Sequence, residues 1–174
     1  LDRMALAYSR WGRAVQAGEE IPARVAASVR RYPHLLGGTD RFDTVLLQET
    51  NGTIVAKVGA EGVHSVAVPG MGLGIAIKVE DGALRAQHVA VLSALQQLGA
   101  LPADLPPRLA EFVVRPVRNT RGEHVGEIRP VLGSVRAAVS VTPPSRIVSV
   151  LEWIGCPAAV TTKSSALPIT GATG

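Results

Sequence analysis

The 174-residue chain is 47% hydrophobic and 18% charged, enough apolar material for one packed domain with or without a tail, which excludes a wholly disordered protein. Its net charge of +4 comes from dispersed arginines without an aromatic stacking pattern, so no nucleic-acid partner is expected. No apolar run has membrane-spanning length and no signal-peptide pattern opens the chain, so no membrane partner and a cytoplasmic location are expected.

The single cysteine, Cys156, excludes an internal disulfide and suits a reducing compartment. Aromatics are only 3% of the residues, so the core must be built from Ala, Val, Leu and Ile. The first residue is Leu1 and the sequence starts inside a helical pattern, which reads as the later part of a longer protein.

Leu1, Met4, Ala5, Tyr8, Trp11 and Val15 recur at helical spacing and predict an amphipathic helix with Arg3, Arg10 and Arg13 outside. Those arginines either gather an anion or form a solvated face. Gly18 stops the helix, Pro22 suits the first turn of a second one over 23–32, and Pro33 ends it. Residues 36–43 form a glycine loop entering a short helix, with Thr39 or Asp40 as its cap. The loop either cradles an anion or makes a tight turn; no phosphate-loop lysine follows it.

Asn51-Gly52 is a turn signal that opens a β-rich stretch at 53–58. Further strand patterns at 63–68 and 73–79, joined by short turns, predict an antiparallel meander. Asp81 then starts a helix over 83–98, striped by Leu84, His88, Val91, Leu92, Leu95 and Leu98, and Gly99 ends it. His88 reads as a packed helix histidine, since no second histidine stands at i+4. Pro102, Pro106 and Pro107 mark a linker before a hairpin of 111–117 and 124–131. Residues 1–132 form one domain, and 133–174 read as a low-complexity, poorly ordered tail whose apolar segment spans 147–154, with Trp153 docking locally.

The chain has three lysines (Lys57, Lys78 and Lys163) against fifteen arginines, so Lys57 at the end of a strand and two residues before Gly59 stands out. Partly buried, it can act as a base or proton shuttle; charged, it can hold a carboxylate or orient a serine hydroxyl. The plainer alternative is an edge-strand lysine that discourages aggregation. Gly59 and Gly62 let a ligand approach the backbone, and Glu61 either binds a substrate amine or pairs with Lys57. Ser65 is a nucleophile by type but sits mid-strand without a nucleophile elbow, and reads as packing. No Ser-x-x-Lys pair exists, because Ile54, Ile75 and Val160 precede the three lysines at that spacing. The residues alone therefore offer half of a site.

Three motifs in order, Tyr32-Pro-His-Leu-Leu-Gly-Gly-Thr-Asp-Arg-Phe-Asp43, Ala56-Lys-Val-Gly-Ala-Glu-Gly62 and Gly72-Leu-Gly-Ile-Ala-Ile-Lys-Val-Glu-Asp-Gly82, resemble the rhizobial-type L-asparaginase II family, and Asn119-Thr-Arg-Gly-Glu-His-Val-Gly126 fits its closing segment. The resemblance implies an α+β fold, an antiparallel sheet flanked by helices as in serine β-lactamases and penicillin-binding proteins, here incomplete. It implies hydrolysis of L-asparagine, a small amide, through a serine acyl-enzyme whose nucleophile stands upstream of this chain. Lys57 would be catalytic and Gly59 and Glu61 substrate-binding, while Val58 replaces the threonine of the Lys-Thr-Gly motif of penicillin-binding enzymes. Members bind zinc near the active site through cysteines and a lysine of the earlier part, to which Cys156 does not correspond. No metal or cofactor is expected within this chain, and a homodimer stays open. The alternative is a non-catalytic fragment or a small-molecule binding module of the same fold.

Overall fold

The computed structural model describes residues 1–130 together with the strands at 138–139 and 146–152. Helices α1 (Asp2–Gln16), α2 (Glu20–Arg31), α3 (Pro33–Gly37) and α4 (Phe42–Glu49) precede strands β1 (Val55–Val58), β2 (Val63–Val68) and β3 (Leu73–Val79). Then come α5 (Leu84–Gln97), α6 (Pro107–Ala110) and a separate hairpin of β4 (Arg115–Arg118) and β5 (His124–Ile128). Strands β6 (Ala138–Val139) and β7 (Arg146–Glu152) join the first sheet, whose order is β1-β2-β3-β7-β6. The architecture is α+β. The expected meander forms, with β1–β2 and β2–β3 antiparallel, and β7 adds a parallel neighbour to β3. Beyond those two strands, the expected tail lies outside the described residues.

The two faces of the sheet differ in side-chain size. Alternation along the strands puts Ala56, Val66, Val68, Leu73, Ile75 and Ile77 on one face, where they form a core with Phe42 and Leu46 of α4 and Leu92 and Leu95 of α5. The opposite face carries Val55, Lys57, Ser65, Ala67, Gly74 and Ala76. Helix α1 lies there, so close that a Cβ on Gly74 would fall 2.0 Å from the carbonyl oxygen of Ala5 and 2.5 Å from the Ser9 nitrogen.

That approach changes which face of α1 is buried. The helix buries Ala5, Ser9 and Gly12, and Ser9 Oγ donates to the Gly72 carbonyl at 2.7 Å. The expected stripe is only partly covered, with Leu1 40% and Met4 39% exposed. A helix laid on a floor of glycine and alanine has room only for small side chains, so its apolar stripe is turned aside.

Two local expectations are corrected. Pro33 does not merely end α2; it stands at the first turn of the short α3, where its fixed φ and missing N–H cost nothing. Neither Thr39 nor Asp40 caps α4, whose N-cap is Arg41 without a side-chain bond. Instead Thr44 Oγ1 donates to the Gly38 carbonyl at 2.7 Å and ties the loop down from inside the helix.

Candidate functional site

Strand β1 is an edge strand, and Lys57 leaves it on the α1 face near the strand's end. Its ammonium is exposed, and Nζ donates to the Val58 carbonyl at 2.8 Å. Beside it opens a cavity of about 360 Å³ walled by Tyr8 and Trp11 of α1, Val25 and Val29 of α2, Leu36 of α3 and Val55 of β1. The lining residues are mostly apolar, and those that carry polar side-chain groups are Lys57, Tyr8 and Trp11.

Tyr8 reaches this place because α1 lies so close to the sheet. Burial and then the nearby Asp43 carboxylate push its hydroxyl above the ordinary value, against a hydrogen bond with Ser65 that works the other way. It is therefore a neutral phenol at physiological pH, able to donate or accept. Ser65 is the cross-strand partner of Lys57, but it is buried, 3% exposed, beneath the helix. A substrate carbonyl has no path to it. Periodicity marked Tyr8 only as part of an apolar stripe, and nothing in the sequence separated it from Trp11.

Gly59 and Glu61 lie in the turn between β1 and β2. The Gly59 N–H is taken by the Val63 carbonyl at 2.7 Å, so the ladder uses that donor. Glu61 adopts a left-handed φ of 56°, and Oε2 lies near the β3–α5 turn, 3.2 Å from the site of a Cβ on Gly82. It forms no ion pair with Lys57. Both residues stand at the same end of β1 as the lysine, and neither lines the cavity.

On the other face of the sheet is a buried polar pair. His64 Nε2 comes 2.8 Å from Asp43 Oδ1, with the two side chains 0% and 2% exposed. The atoms are within hydrogen-bond reach, although the ring N–H is not aimed along the line between them and both remain without an aligned bond. Burial works against ionisation of Asp43, but His64, the Val58 N–H and the Lys57 charge outweigh it and hold the carboxyl below its ordinary value. Phe42 stands edge-on to His64, with ring centres 5.5 Å apart, and stacks on His88 at 4.5 Å. Sequence reasoning missed the pair. Its signal was present: Asp43 interrupts an apolar helix, and His64 shares its strand face with Val66 and Val68.

His88 is the packed histidine that its helix position suggests. Burial first, then the positive charges of His64, Arg115 and Arg41, outweigh the pull of Asp43 and bring its imidazole down to about 4. The unfolded chain, with a histidine near 6.5, binds the proton first as pH falls, so stability is lost between those two values. At pH 5 the loss is about 2 kcal/mol. His88→Phe keeps the stack on Phe42 and removes the titration. Thermal melts should therefore show a wild-type drop of roughly 4–8 °C between pH 7 and pH 5 that is much smaller in the variant.

Among the described residues no group of three or more His, Cys, Asp or Glu side chains is arranged to hold a metal. The zinc that the resemblance implies finds no ligand set among the described residues, and Cys156 lies outside them. No helix among the described residues is long and apolar enough to cross a membrane. Comparison with protein families gives a match to L-asparaginase II over residues 1–130. Comparison with curated proteins gives no match.

Proposed function

Because the chain belongs to the L-asparaginase II family, we propose that it supplies the lysine-bearing part of an amidohydrolase that converts L-asparagine to L-aspartate and ammonia. The observation that carries the proposal is Lys57 at the free edge of the sheet, its ammonium beside a cavity that Tyr8 also lines. An antiparallel meander covered by helices on both faces is compatible with a serine β-lactamase-like arrangement.

In this mechanism a serine of a Ser-x-x-Lys segment upstream of Leu1 attacks the side-chain amide carbon. Its proton passes to the departing nitrogen, ammonia leaves, and water cleaves the resulting ester to release aspartate. Lys57 serves the serine either as a neutral amine that relays the proton or as an ammonium that holds the developing alkoxide. Val58 brings no hydroxyl to the substrate carboxylate. Gly59 and Glu61 shape the rim at the end of β1, where Glu61 can meet the substrate's ammonium group.

The test is ammonia release from L-asparagine by the product of the full coding sequence. Release that disappears when the serine of an upstream Ser-x-x-Lys is replaced by alanine supports the acyl-enzyme. If no in-frame Ser-x-x-Lys precedes Leu1 and no ammonia is released, the acyl-enzyme is rejected. A small molecule bound in the cavity without turnover would then favour a binding module, for which the apolar walls are suited.

A further inference from the structure

Val58, the residue that follows Lys57, has both its backbone N–H and its carbonyl bonded to side chains. Gly59 donates to Val63 in the β1–β2 ladder, so residues of β1 alternate between bonding β2 and facing outward, and Val58 faces outward. Its carbonyl accepts from Lys57 Nζ at 2.8 Å, and its N–H donates to Asp43 Oδ2 at 2.8 Å. The second Asp43 oxygen faces His64, which is the cross-strand neighbour of Val58. One carboxylate from α4 thus bridges the edge of β1 and a side chain of β2.

A buried carboxylate and imidazole are an expensive way to fill this volume. Removing a charge from water costs several kcal/mol per ion, and apolar residues of similar size often replace buried ionisable pairs without loss of stability. What an apolar pair cannot do is accept the outward N–H of Val58. Among the described residues β1 has no strand on its outer side, so the Asp43 carboxylate takes the outward N–H of Val58 beside Lys57.

We infer that Asp43 and His64 are positioning residues: they anchor the Val58 peptide and thereby fix the direction in which β1 presents Lys57 to the cavity. His64 Nε2 faces the carboxylate oxygen that does not meet Val58, 2.8 Å away, and Phe42 stands edge-on to the His64 ring. The catalytic consequence rests on the function proposed above; the anchoring does not.

The test compares wild type with Asp43→Leu/His64→Met, which removes the pair without leaving a lone buried charge, and with Asp43→Asn, which keeps an acceptor for Val58. In the double variant the Val58 amide should exchange its hydrogen at least about tenfold faster while Gly59, bonded to Val63, stays within about twofold. In the full-length enzyme, kcat should fall on the order of 10- to 100-fold with KM little changed, and Asp43→Asn should recover most of both. Acetylation of Lys57 relative to Lys78 in the same chain should shift several-fold. Unchanged Val58 exchange overturns the anchor, and faster exchange with unchanged kcat overturns the positioning role. If the wild type releases no ammonia, the proposed function fails instead, and the Lys57 to Lys78 ratio decides: an unchanged ratio overturns the inference. If the double variant does not fold, a wild-type Val58 amide that exchanges like an exposed one does so as well.

Discussion

On the proposed function, replacing Lys57 by alanine should cut turnover of L-asparagine by roughly 10²- to 10⁴-fold, the usual contribution of a positioned proton-transfer group. The fold should survive. Lys57 is exposed, and its side-chain bond goes to the carbonyl of the next residue, so its removal leaves no buried group unpaired. Thermal melting within a few degrees of wild type, together with the kinetic loss, separates a chemical role from a structural one. Near-normal turnover in the alanine variant would reject the role outright. Lys57→Arg then divides the two mechanisms, because guanidinium keeps the charge but gives up no proton near neutral pH. Substantial activity in the arginine variant assigns the lysine to charge stabilisation. Activity as low as in the alanine variant assigns it to proton relay.

Gly74→Ala should be the most damaging single methyl group in the described fold, lowering unfolding free energy by about 3–5 kcal/mol. The added carbon would meet the Ala5 carbonyl oxygen at 2.0 Å and the Ser9 nitrogen at 2.5 Å. Both are backbone atoms of α1 and cannot swing away as a flexible side chain would. Relief requires the whole helix to lift, which breaks the Ser9 bond to Gly72 and draws Tyr8 away from Ser65. Gly70→Ala is the control, since nothing lies within 4 Å of its added carbon. Urea unfolding midpoints should separate the two clearly; equal midpoints would mean that α1 does not sit as described. A valine at position 74 should prevent folding.

The two predictions concern parts of the molecule that were unequally visible from the residues. Lys57 was legible because lysine is rare in this chain and strand ends on edges are where such a residue can act. The meander was legible because its three apolar runs are separated by residues that favour turns: Asn51 and Gly52 both take left-handed φ before β1, and Gly62 and Gly72 do so at the two hairpin bends. Helix α5 followed from its length and stripe. Harder to see was Gly74, which in the sequence is one more glycine after Gly70 and Gly72. Asp43 was visible as part of a family-like motif, but its partner lay on another element, and alternation alone could say only that His64 faced the core.

By itself, then, the sequence determined the helices α1, α2, α4 and α5, the antiparallel β1–β2–β3 unit and the membership of residues 1–130 in a family with amide-cleaving chemistry, but not α3, α6 or the joining of β7 to the sheet. These depend on local turn preferences and on side-chain periodicity, which each segment carries in its own residues. Tertiary structure alone decided that α1 buries Ala5, Ser9 and Gly12, that Tyr8 shares a cavity with Lys57, and that Asp43 holds Val58 while facing His64. Those are properties of pairs of elements. They arise when one backbone comes close enough to another that a missing Cβ or a buried carboxylate has a partner to meet.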